Sequence, residues 1–184
     1  MKTILALCCL LPGLVASVQG AVICPHDSFT CLKRHMNDFY LADHDRFFKV
    51  YRHVFARALQ CGDYQDVAEY LTIYSPSGDN AEIDESMQQD TEALLLLKPE
   101  CLFEGALRLT PVQLDNFAGK YRLFSRPNHV MALLRKYMQN GKYRHVATLI
   151  YKSNQAAYQS YGKGADDAPM AELYQQYKQY QETE

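Results

Sequence analysis

Gln60-Cys61-Gly62-Asp63-Tyr64-Gln65-Asp66-Val67-Ala68 and Gln139-Asn140-Gly141-Lys142-Tyr143-Arg144-His145-Val146-Ala147 are two versions of one pattern. Gln, Gly, Tyr, Val and Ala recur at the same offsets, 79 residues apart. An apolar helical stretch precedes each, ending in Arg57 and Leu59 or in Lys136 and Met138, and Leu71 or Ile150 follows. The pattern reads as a tight αα-hairpin. On this reading Gly62 and Gly141 each end a helix and supply a turn that a Cβ would obstruct. Tyrosine opens the second helix and covers the junction, and the small alanine lets the two helices approach.

Helical periodicity extends outward from both turns, and strand signals are nearly absent. Ser28 reads as the N-cap of a helix bearing Leu32, Met36 and Phe39, and Asp43 opens a second with Phe47, Val50, Tyr51, Val54 and Phe55 on one face. Asp63 caps a third. A loop over 75–80 precedes a fourth helix, roughly Ile83 to Leu97, which Pro99 interrupts. Thr110-Pro111 reads as N-cap and first helical residue of a helix carrying Leu114, Phe117, Tyr121 and Phe124. Pro127 and Tyr143 begin two more, and a last short helix holds Leu173, Tyr174, Tyr177 and Tyr180. The fold class is all-α: stacked αα-hairpins, as a short α-solenoid or an irregular helical bundle, with about seven to nine helices. Residues 1–20 form a signal peptide, 21–165 the helical domain, and 166–184 a C-terminal short helix or tail.

The Gly-Asp-Tyr…Ala of the first turn resembles the tetratricopeptide-repeat turn. The chain lacks that family's 34-residue period, and a spacing of 79, two units of about 40, is closer to HEAT-like repeats. The middle unit would then be the helices around Pro99 to Phe124.

Lys2 is the only charge before His26, and Ile4 to Val18 is apolar, followed by Gln19 and Gly20. This is the pattern of a secretory signal peptide, with cleavage after Gly20 and Ala16 or Ser17 as alternatives. No later segment is expected to span a membrane. Cleavage removes Cys8 and Cys9 from the six cysteines and leaves Cys24, Cys31, Cys61 and Cys101, with a net charge of −3 in place of −2. An even number in an exported protein predicts two disulfides, with Cys24–Cys31 and Cys61–Cys101 the preferred pairing of three; zinc is the competing use. The expected compartment is the periplasm or the secreted space.

No HExxH, GxSxG or P-loop occurs, so no catalytic residue, cofactor or metal is assigned. The unusual feature is charge segregation. Residues 79–104 hold eight acids and one base, and residues 116–165 hold nine bases and no acid. Either neighbouring helical layers complement each other or both are solvated faces, or a polarised surface steers a partner protein. The partner-binding candidates are Glu82, Asp84, Glu85 and Asp90, with Tyr70 and Tyr74 as aromatic anchors if they face outward, and the basic stretch from Lys120 to Arg144 as the second choice. The mild net charge argues against nucleic acid.

In size, compartment and class the chain is similar to periplasmic immunity proteins that neutralise toxins delivered by type VI secretion. That similarity implies a protein-binding module with no cofactor. A scaffold or accessory subunit of an envelope complex is the alternative function, and a hydrolase with an unrecognised site is the second.

Overall fold

A computed structural model describes Cys24 and residues 29–73, 80–122, 125–161 and 168–182. Residues 1–20, expected to be a signal peptide, and Ser28, Tyr74 and residues 162–167 lie outside the described residues. Among the described residues there are nine α-helices and no strand: α1 (Phe29–Ala42), α2 (His44–Gln60), α3 (Tyr64–Ile73), α4 (Ala81–Leu97), α5 (Pro99–Ala106), α6 (Pro111–Lys120), α7 (Pro127–Met138), α8 (Arg144–Tyr161) and α9 (Met170–Glu182).

Several boundaries follow from local chemistry. The Asp43 side chain accepts from Arg46 N at 3.1 Å and starts α2. Asp63 accepts from Gln65 N at 2.8 Å ahead of α3. Thr110 and Gln113 form a reciprocal capping box, with Pro111 in the first turn of α6. Asn80, read as the end of a loop, is the N-cap of α4 and accepts from Ile83 N at 3.1 Å. Helix α6 stops at Lys120, and Tyr121 leaves it with extended backbone (φ −59°, ψ 130°) while its ring stays fully buried.

Both repeated turns fall where the sequence places them, between α2 and α3 and between α7 and α8. The reason given for their glycines is overturned. A Cβ built on Gly62 or Gly141 meets nothing within 4 Å, and neither residue has left-handed backbone. The left-handed residue is Cys61, at φ 61° and ψ 28°, whose N–H donates to the Ala58 carbonyl. The turn tyrosines also differ. Tyr143 is buried, stacked on Phe103 at 5.4 Å, and its hydroxyl donates to Glu104 at 2.7 Å. Tyr64 remains 38% exposed, with the Arg108 guanidinium over its ring. Ala68 and Ala147 are both buried, as the close approach of paired helices requires.

The packing order is α1 and α3 on α2, α5 on α3 and α4, α7 on α4, and α8 on α6 and α7. The tightest approach is at Gly105 of α5, where a Cβ would lie 2.4 Å from Val67 Cγ1 of α3. Two disulfide pairs join the elements. Cys24–Cys31 (Sγ–Sγ 2.12 Å) ties the described N-terminus to α1, and Cys61–Cys101 (2.06 Å) ties the α2–α3 turn to α5. These pairs fit an oxidising compartment, and no described helix is long and apolar enough to cross a membrane. Helix α9 is part of the core rather than a tail. Its Leu173 and Tyr177 are buried, and the Tyr177 ring meets Phe55 of α2 at 5.6 Å.

Candidate functional site: the α2–α4 face and its cleft

Helices α2 and α4 present matching polar faces, because residues four, seven and eight positions apart share one side of a helix. On α2 these are His44, Phe48, Tyr51 and Arg52, and on α4 Glu82, Ser86, Gln89 and Asp90. With Gln176 of α9 they line a cleft of about 230 Å³.

At the outer end, Glu82 is the acceptor of a small network. His44 Nε2 lies 3.1 Å from its Oε1, the Tyr40 hydroxyl donates to its Oε2, and His44 Nδ1 lies 3.1 Å from Asp45 Oδ1. Hydrogen bonds to Asp45 and Glu82 hold the His44 pKa above its ordinary value. Hydrogen bonds from Tyr40, then His44, hold Glu82 below the usual carboxylate range. All of this is exposed, so it orients side chains more than it stabilises the fold.

The inner end is different. Asp90 is only 8% exposed. Burial pushes its carboxyl up to about 6, opposed by hydrogen bonds from Tyr177 and Tyr51 and by the charge of Arg52. The Tyr177 hydroxyl donates to Asp90 Oδ1 at 2.5 Å. Behind it runs a buried hydroxyl chain, Tyr51 to Tyr70 at 3.2 Å and Tyr70 to Thr91 at 3.4 Å. Burial, then the Asp90 charge, drives the Tyr51 pKa well above its ordinary value.

The structure therefore divides the expected partner-binding residues. Glu82 and Glu85 are exposed and Asp84 is half-buried on the outer turns of α4. Asp90 is removed from the surface because it lies in the stripe of Ile83, Met87 and Leu94 that packs inward. Tyr70 is also corrected: it has no exposed surface and spends its hydroxyl on Tyr51 and Thr91, so it cannot anchor a partner. The missed residues are His44, Arg52 and Gln89. Their signal was the spacing that sets each on the same side as Tyr51 or Glu82.

The charge segregation is partly an internal match. Buried Glu92 accepts from Ser125 N at 3.0 Å and Ser125 Oγ at 2.9 Å, with Arg126 Nη1 3.8 Å away. Glu104 pairs with Lys142 and takes the Tyr143 hydroxyl. Two of the acids thus meet two of the bases across packed elements; of the rest, Glu82, Asp84 and Glu85 gather at the start of α4, and Glu100 lies exposed on α5.

Geometry and packing define the class as an all-α, disulfide-tied protein of packed helical hairpins, with a polar cleft between α2, α4 and α9. No family model, curated protein or solved structure matches the chain.

Proposed function

We propose that this is an exported helical module that binds another protein through the acidic face at the start of α4, in the manner of an immunity protein that occupies and blocks a toxin. One observation carries this reading. Leu41 is 79% exposed, and it follows Tyr40, whose hydroxyl reaches Glu82. An exposed aliphatic side chain one residue from the Tyr40 that touches Glu82 offers an apolar anchor on the helix end next to the start of α4. Interfaces need an anchor as well as steering charge, because exposed ion pairs contribute only ~0–1 kcal/mol each. The two disulfides fit an oxidising compartment where such a module would work.

The test is capture from a periplasmic extract of the source cells with three baits: the wild type, Leu41→Ala, and Glu82→Lys with Glu85→Lys. The reading expects one protein that the wild type retains and both variants lose. Its association rate should fall with rising salt for the wild type and be slower at low salt for the charge variant. A partner retained equally by all three baits removes this face from the interface.

A further inference from the structure

We propose that the cleft between α2, α4 and α9 binds one neutral pyranose unit of a saccharide through hydrogen bonds and an aromatic wall.

The charge of the cleft favours neither sign of ion. His44 is matched by Glu82 at 3.1 Å, and Arg52 acts on the buried carboxylate of Asp90. The acidic and basic groups are paired with each other, so the cleft offers no uncompensated charge to attract an ion of either sign.

The remaining lining suits vicinal hydroxyls, which donate and accept at once. Ser86, Gln89 and Gln176 each offer both functions. They come from two helices, α4 and α9, that line the same cleft. Phe48 adds aromatic surface from the α2 side; it is half-buried and held edge-to-face against the buried Tyr51 ring at 6.4 Å. A pyranose needs such a surface for its C–H face. The groups nearest the ligand are already fixed: Tyr51 by Tyr70, Asp90 by Tyr177, and Glu82 by Tyr40 and His44. Preorganisation of this kind lowers the ordering cost that weakens polar binding.

Size sets the ligand. About 230 Å³ falls below the ~300–1,000 Å³ of sites for drug-sized molecules, so one ring fits and an extended chain does not. The unit could be a free sugar or the end of a glycan, and the experiment separates these. The inference does not rest on the partner-binding reading, and its variants leave Leu41 and Glu85 untouched.

The experiment follows backbone amide shifts of the oxidised full-length protein titrated with N-acetylglucosamine, with its β-1,4-linked trimer, and with argininamide. Saturable shifts with the monosaccharide are expected over 44–52, 82–90 and around Gln176. Gln176→Ala and Gln89→Ala should each weaken binding about five- to tenfold, the scale of one lost hydrogen bond. Gln176 is exposed, so its variant reports on the site even if Gln89→Ala disturbs packing. Equal affinity for monomer and trimer assigns a free sugar or chain end, and tighter trimer binding assigns a glycan with further contacts outside the cleft. No saturable shift with either sugar overturns the proposal. So does argininamide moving these amides when the sugars do not, or unchanged sugar affinity in the Gln89→Ala/Gln176→Ala double variant.

Discussion

The Tyr177 hydroxyl reaches across from the last helix and donates to the Asp90 carboxylate at 2.5 Å, 87 residues away in sequence. This contact holds the C-terminal helix to α4 and places a titratable group inside the core. Burial raises the folded pKa of Asp90 to about 6, from the 3.8 of an unperturbed aspartate. Between roughly pH 4 and pH 6 the folded protein keeps a proton that the unfolded chain releases. The contribution of Asp90 is therefore most favourable below pH 4 and declines as pH rises toward 6.

Asp90→Asn should stabilise the protein at pH 7, by ~1–3 kcal/mol on the scale of a two-unit shift, and be near neutral at pH 4. Asparagine can still accept from Tyr177. The His44 pKa is also raised, so its stabilisation is present below the ordinary histidine value and is lost at higher pH than the Asp90 change, inside the same scan. The measurement is accordingly the difference between variant and wild-type denaturation curves from pH 4 to 8. A difference that does not change with pH would contradict the buried titration.

Tyr177→Phe keeps the ring against Phe55 and removes the donor. At pH 7 it should cost ~1–3 kcal/mol, because a buried carboxylate loses one of its two hydroxyl donors. At pH 4 the cost should shrink. Hydrogen exchange should show α9 opening more often than the other helices.

Much of the fold was legible because its signals are local. Asp43 and Thr110 cap the helices that the sequence assigns to them, cysteine parity gives two disulfides, and the pairing preferred among three is the one observed. The failures needed tertiary knowledge. Tyr70 reads as a surface aromatic until its place beside Val67 and Leu71, in a helix covered by α2 and α5, is known. Asp90 reads as surface charge by residue type alone. Its position seven after Ile83 and three after Met87 was the available warning, and the helix that covers it lies 80 residues downstream. Gly62 reads as the turn residue, but the disulfide partner Cys61 takes that conformation instead.

The glycines make a paired prediction. Gly105→Ala drives a Cβ to 2.4 Å from Val67 Cγ1 and 3.1 Å from the Ala68 backbone nitrogen, so α3 and α5 must separate. A loss of ~1–3 kcal/mol is expected. Gly62→Ala meets open space without left-handed strain and should be neutral or stabilise by up to ~1 kcal/mol through the unfolded chain. Urea denaturation of both variants checks this, and the opposite ranking would refute the packing argument.

Cys61 combines two roles that mutation can separate. Replacing Cys61 and Cys101 by alanine opens a loop of 40 residues' separation, worth ~4 kcal/mol on the chain-entropy model. The left-handed conformation at Cys61 also costs a side-chain residue ~1–2 kcal/mol. Cys61→Gly with Cys101→Ala should therefore be the more stable double variant, by ~1 kcal/mol. Equal stability of the two would mean that the turn relaxes once the cross-link is gone.

The last prediction concerns Glu92, where segregated charge becomes internal structure. Its side chain is 1% exposed, and the paired Arg126 side chain is 8% exposed. Glu92 also accepts from the Ser125 N–H and hydroxyl, while Arg126 reaches Ser125 Oγ at 2.9 Å and the Pro169 carbonyl at 3.4 Å. One acid on α4 thus organises the residues that start α7 and the approach to α9. Glu92→Ala leaves a buried guanidinium without its counter-charge and the Ser125 amide without its acceptor. Removing one partner of a buried pair costs ~3–5 kcal/mol. Glu92→Gln retains an acceptor for Ser125 but removes the charge, so its loss should be clearly smaller. Adding Arg126→Met to Glu92→Ala should recover part of the loss, because the stranded charge goes while the packing volume stays. Denaturation of the wild type and these three variants completes the comparison. If Glu92→Ala lies within ~1 kcal/mol of wild type, this pair belongs with the weak surface pairs, and charge matching between α4 and α7 does not hold the layers together.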